Sequence, residues 1–175
     1  KDVSNPGDAD LFFSPASGAS LDAGYHLSSG DFDGNGYDDI LVSGFTTDRV
    51  WVIYDGLEGL GSITDETVGV ETIDGYKSGY SFGDWDDDGL DDVWLSTAGW
   101  GSGGSVALSL GSTGLDSYDY TPYANSYAVG LGTGDQCDIN GDGYADIVKL
   151  NYSWAGIFWG GGAGWTASYS DGDVR

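Results

Sequence analysis

Asp31-Phe32-Asp33-Gly34-Asn35-Gly36-Tyr37-Asp38-Asp39 runs straight into the apolar segment Ile40-Leu41-Val42. The arrangement returns as Asp84-Trp85-Asp86-Asp87-Asp88-Gly89-Leu90-Asp91-Asp92 before Val93-Trp94-Leu95, and as Asp138-Ile139-Asn140-Gly141-Asp142-Gly143-Tyr144-Ala145-Asp146 before Ile147-Val148-Lys149. The starts lie 53 and 54 residues apart. Self-similarity at a fixed period of tens of residues is the mark of solenoids, propellers and arrays.

Outward from each loop the same elements recur. A strand candidate precedes it (Gly24–Ser29, Gly79–Phe82, Val129–Thr133), and a second follows it (Ile40–Phe45, Val93–Thr97, Ile147–Tyr152). A third comes after a short turn (Val50–Tyr54, Val106–Leu110, Gly156–Trp159). Then comes a glycine turn (Gly56/Gly59/Leu60, Gly111/Gly114/Leu115, Gly161/Gly164/Trp165) and a fourth strand near Val68–Ile73, Tyr118–Ala124 or Thr166–Ser170. Four short antiparallel strands per unit is the pattern of a propeller blade. The expectation is an all-β chain of three four-stranded blades, at 24–74, 75–126 and 127–175. In the leading segment, 1–23, Leu11–Ser14 reads as a strand completing a preceding blade or a neighbouring chain. The second strands are apolar on both faces, as expected when sheets cover them from both sides. Closed propellers have about four to eight blades, so three are too few to close a ring alone.

Composition agrees with strands and turns. Gly 32, Tyr 12 and Trp 7 in 175 residues leave little material for long helices. Acidic residues number 29 against five basic ones, and the net charge of −24 repels nucleic acid and anionic lipid. Hard cations are the natural partners. No stretch approaches the roughly 18 apolar residues that span a bilayer, and Lys1–Asp10 does not read as a secretory leader. Cys137 is the single cysteine, which excludes an internal disulfide and reads as a small buried hydrophobe.

The loops carry the chemistry. Oxygen-bearing side chains fall at positions 1, 3, 5 and 9, with glycine at position 6. Calcium takes six to eight hard oxygen ligands, so a loop must curl several carboxylates around one point. Alternate residues of a tight loop point inward, position 7 offers its carbonyl, and Gly36, Gly89 or Gly143 takes the positive φ that a side chain resists. The candidate ligands are Asp31, Asp33, Asn35, Tyr37 and Asp39; Asp84, Asp86, Asp88, Leu90 and Asp92; and Asp138, Asn140, Asp142, Tyr144 and Asp146. An EF-hand starts in the same way but needs Glu at position 12, where this chain has Val42, Leu95 and Lys149. Three Ca²⁺ ions are expected, and calcium near millimolar levels points to an extracellular or cell-surface setting.

These units resemble FG-GAP repeats, the calcium-binding blades of the β-propeller in integrin α chains and many bacterial surface proteins. Phe82-Gly83 ahead of Asp84 matches the first half of that motif, and the Asp-x-Asp-x-Asp-Gly-x-x-Asp core recurs in all three units, with Asn35 and Asn140 each standing for one Asp. Ser43-Gly44-Phe45, Thr97-Ala98-Gly99 and Asn151-Tyr152 stand where the family has its Gly-Ala-Pro turn. The resemblance implies calcium in a structural role, on the loop joining the first two strands of each blade.

Unpaired blade faces suggest homo-assembly, as a ring or a fibre, or neighbouring blades of a longer chain. An enzyme is not expected: His26 is the single histidine and reads as a strand residue. The alternative is a calcium-dependent carbohydrate-binding module, with glycans or other surface proteins as partners. Trp100 and Trp154 lie in turns suited to stacking on sugar, while Trp51, Trp94 and Trp159 read as packing residues. A polysaccharide-active enzyme built on a carboxylate pair ranks below both.

Overall fold

The computed structural model describes residues 6–16, 23–44, 46–84, 87–97, 106–109, 138–151 and 154–160. Among them every regular element is a strand, apart from one 3-10 turn at Pro6–Asp8. The first sheet holds β2 (Ala23–Gly30), β3 (Asp39–Gly44), β4 (Arg49–Ile53) and β6 (Val70–Asp74), in the order β2-β3-β4-β6 and antiparallel throughout. Its strands run from residue 23 to residue 74. The second sheet contains β7 (Ser78–Gly83), β8 (Asp92–Ser96) and β9 (Val106–Ser109) in antiparallel order. A third pair joins β10 (Ile147–Asn151) to β11 (Trp154–Phe158). Among the described residues no sheet closes into a barrel. The strands expected near 118–124, 129–133 and 166–170, and the glycine turns at 111–115 and 161–165, lie outside the described residues.

Alternation along β3 and β4 sorts side chains onto two buried faces. Leu41 is paired across the strands with Val52, and Val42 with Trp51. Leu41, Val50, Val52 and Ile73 meet Val93 and Leu95 of the second sheet, with Phe32 from the loop between β2 and β3. The opposite face carries Val42, Trp51 and Ile53, packed on Leu57 and Ile63. Fully burying such a side chain contributes about 1.5–3 kcal/mol, so a strand apolar on both faces is held from both sides.

The second cover was not anticipated. Leu11–Phe13 forms β1, which pairs in parallel with β5 (Gly61–Ile63), a short strand in the connection before β6. Leu11 and Phe13 pack on this face, and the Phe13 ring meets Trp51 edge-on at 5.6 Å. The strand at Leu11–Phe13 was expected, but as part of a preceding blade or a neighbouring chain; its partner is instead β5 of the same chain, a three-residue run with too little periodicity to be marked in the sequence. Trp51 and Trp94 are buried as expected, whereas Trp159, expected to pack in a strand, lies one residue beyond β11 and is half exposed.

The first two sheets meet through the edge of β7. Its outward N–H groups at Gly79 and Ser81 donate to the hydroxyls of Ser43 and Ser28, each at 2.9 Å. A Cβ on Gly79 would stand 2.9 Å from Leu41 Cδ2 and 3.1 Å from Leu95 Cδ2, so glycine is what lets the edge come so close. Unit is thus laid on unit, with the first loop and the second side by side.

Candidate metal centre

Each loop is folded by its own side chains. In the first, the Asp31 carboxylate accepts the N–H groups of Asn35 (3.0 Å) and Gly36 (2.8 Å), and Asn35 Oδ1 accepts that of Tyr37 (2.9 Å). In the second, Asp84 accepts from Asp88 (3.1 Å) and Gly89 (2.9 Å), and Asp88 Oδ1 accepts from Leu90 (2.9 Å). The third repeats this with Asp138 accepting from Asp142 (3.0 Å) and Gly143 (2.9 Å), and Asp142 accepting from Tyr144 (3.1 Å). Position 1 therefore captures the N–H groups of positions 5 and 6, and position 5 captures that of position 7.

Glycine at position 6 takes the left-handed conformation expected of it, with φ of 90°, 90° and 96° at Gly36, Gly89 and Gly143. Position 4 does the same, which the sequence reading missed: φ is 74° at Gly34, 64° at Asp87 and 78° at Gly141. The signal was there in two glycines of three.

Asp39, Asp92 and Asp146, at position 9, are completely buried. Asp39 Oδ2 accepts the N–H of Phe32 (3.0 Å) and its Oδ1 that of Asp55, just beyond β4 (2.9 Å). Asp146 repeats the arrangement with Ile139 (2.7 Å) and with Gly160, just beyond β11 (2.9 Å). In the first and third loops the residue thus ties its loop to the backbone just beyond a later strand, a pinning role in addition to the ligand role expected of it.

The first loop gathers charge at one point. Single carboxylate oxygens of Asp31, Asp33 and Asp39 all lie within 4.8 Å of one another. Calcium holds oxygens at 2.3–2.6 Å, so ligands around one ion stand up to about 5 Å apart, and this cluster fits such a sphere. Burial pushes the Asp39 carboxyl up to about 6, against the bonds from Asp55 and Phe32, and the charges of Asp33 and Asp55 add to the rise. A cation at the cluster would reverse that repulsion. Among the described residues, the first loop alone shows this convergence. In the third, Asn140 Nδ2 instead donates to Asp142 Oδ2 at 2.8 Å, and in the second Asp86 lies outside the described residues.

Asp55 also belongs to this neighbourhood, although it lies outside the nine-residue motif. Its Oδ1 accepts from Asn35 Nδ2 at 2.7 Å. The strand registers place it level with Gly160 of the third unit, so the loop spacing alone does not mark it.

The matched segment now has its geometry: a strand, an Asp loop and two more strands. Residues 23–53 match the FG-GAP repeat family. The FG-GAP match begins with β2 and ends with β4, and so contains the whole first loop. A search of curated proteins gave no match. The second and third loops, outside the matched residues, repeat the internal hydrogen bonds of the first.

Proposed function

We propose that this chain is an extracellular or cell-surface calcium-binding repeat protein with a structural or adhesive role. Its three loops each hold one Ca²⁺ in blades of propeller type. The observation that carries this reading is the convergence of Asp31, Asp33 and Asp39 inside the FG-GAP segment. The donor set is all hard oxygen, which suits calcium and offers nothing to softer metals. Asp31, Asp33 and Asp39 would hold the first ion, with Asn35 and the Tyr37 carbonyl completing its shell. Asp84, Asp86, Asp88, Leu90 and Asp92 would serve the second ion, and Asp138, Asn140, Asp142, Tyr144 and Asp146 the third. The ion supplies positive charge alone. By neutralising carboxylates that repel one another by about 1 kcal/mol or more per close pair, it braces the turn between the first two strands of a unit.

A role outside catalysis is supported by the surroundings of His26. Its Nε2 lies 3.0 Å from Tyr80 Oη, the rings are 4.9 Å apart, and burial lowers its pKa. The histidine joins β2 to β7 and packs between units. Among the described residues no helix is long and apolar enough to cross a membrane.

Head-to-tail self-association, as a ring or a fibre, belongs to the same proposal. What supports it is the exposed Leu27 on β2, which among the described residues is an edge strand of the first sheet. Native mass spectrometry in millimolar calcium and after chelation tests ions and assembly together. The expected result is three ions per chain and a larger particle that shrinks on chelation, with a lower melting temperature. No bound ion and an unchanged melting temperature would end the calcium reading; a calcium-loaded monomer would end only the assembly reading.

A further inference from the structure

We propose that the first cation site is completed by the second unit, with Asp91 as a positioning residue for the site on the neighbouring loop. This rests on the calcium reading above. Asp31, the first residue of loop one, is held at both ends of its backbone by one residue of loop two. Its N–H donates to Asp91 Oδ2 at 3.0 Å, and its carbonyl accepts the Asp91 N–H at 2.8 Å. The first of these is a charge-assisted bond, stronger than a neutral one. Asp31 is the residue whose carboxylate captures the N–H groups of Asn35 and Gly36, so fixing its backbone sets the origin of the whole turn.

The contact has been given room. A Cβ on Gly30, the residue before Asp31, would lie 2.6 Å from Asp91 Oδ2 and 2.7 Å from Ser81 Oγ. Any side chain there would force loop two away from loop one. The neighbouring bonds from Gly79 and Ser81 to Ser43 and Ser28 hold the two sheets at the same separation.

Among the described residues the clasp is particular to this joint. Asp91 occupies position 8 of its loop, where the other loops have Asp38 and Ala145. Ala145 has no side-chain acceptor with which to hold the loop before it, and Asp38 is exposed. Loop one is therefore pre-organised by its neighbour, and a pre-organised site binds more tightly because less ordering remains to be done on binding. Conversely, an ion in loop one steadies the joint between units one and two.

Hydrogen–deuterium exchange of the full chain across a Ca²⁺ titration reads each loop separately. Asp91→Ala is expected to move the loop-one midpoint to about tenfold higher calcium, the loss expected for one charge-assisted bond. The loop-three midpoint should stay within about twofold of the wild type, a difference too small for a lost bond of this kind. Asp38→Ala removes the same charge from loop one itself without breaking the clasp, and should leave the midpoint within that same twofold range. Asp91→Asn keeps an acceptor oxygen and should recover most of the affinity. Should Asp91→Ala fail to fold, Asp91→Ser is read in its place. Equal shifts from Asp38→Ala and Asp91→Ala would reduce the effect to net charge and overturn the proposal, as would an unmoved loop-one midpoint in Asp91→Ala. Wild-type exchange that ignores calcium at every loop would bring down the calcium reading, and this inference with it.

Discussion

Loop one and loop three share their internal hydrogen bonds and differ in what surrounds them. Both curl around the carboxylate of position 1, and both are pinned by a buried Asp to the backbone beyond a later strand. Yet three carboxylates converge in loop one, with Phe32 of that loop sunk into the core, whereas the equivalent Ile139 is half exposed and Asn140 bonds to Asp142. The nine-residue motif thus dictates the backbone turn, and packing from the rest of the unit and from its neighbour decides how the carboxylates gather. A shared motif predicts a shared turn sooner than it predicts equal affinities.

The sharpest way to break this comparison is to remove the pin. Asp39→Ala leaves the buried N–H of Phe32 and the half-buried N–H of Asp55 without an acceptor, at up to about 1–3 kcal/mol each. The expected loss is about 2–5 kcal/mol by chemical denaturation in chelator, where no ion contributes. Asp146→Ala, in the third unit, should cost stability through the same two bonds. A loss below about 1 kcal/mol for Asp39→Ala would show that position 9 serves the ion alone and that the shared turn does not depend on it.

Next in size is the joint between the units, which loop one has and which sets it apart. Gly79→Ala places a methyl within 2.9–3.2 Å of Leu41, Leu95 and Val50. Overpacking of this kind costs about 1–3 kcal/mol. The substitution should also lower protection of the Gly79 and Ser81 amides in hydrogen exchange, because the β7 edge moves off the hydroxyls of Ser43 and Ser28. Unchanged stability and protection would mean that the sheets are free to separate, and that the clasp between the loops contributes nothing to loop one.

What was legible in the sequence followed from periodicity. The loops, their position-6 glycines and the strands on either side came from a repeat that three copies make plain. Strands β2, β3, β4 and β6 fall within a residue or two of their expected places. Where the period gave no guide, less was legible. Leu11–Phe13 was legible as a strand, but its parallel partner β5 is three residues long, so the pairing within this chain was not. Asp55 and Asp91 were passed over for a related reason. One is level with glycine in the third unit and the other with alanine, and their roles arise from contacts 20 and 60 residues away in the chain. The pinning role of position 9 was hidden because a ligand and a backbone acceptor call for the same side chain.

The smallest expected effect concerns position 4, where loop two departs from the other two. Gly34 and Gly141 adopt positive φ without penalty, while Asp87 holds the same conformation at φ 64° with a side chain in place. A left-handed residue other than glycine costs about 1–2 kcal/mol, less for Asp, whose short polar side chain tolerates the region. Asp87→Gly removes that strain but adds freedom to the unfolded chain, so the gain should be about 0.5 kcal/mol or less. Asp87→Ala keeps the strain and loses the tolerance of Asp, so it should destabilise by a similar amount. The pair of substitutions removes the same charge, which separates backbone strain from electrostatics. The number of bound calcium ions should be the same in both, since position 4 directs no oxygen inward in the alternating scheme. Melting temperatures that rise for Gly and fall for Ala would place the difference in the backbone. If both moved the same way, the charge of Asp87 would be what matters, and loop two would differ from its neighbours in electrostatics and not in strain.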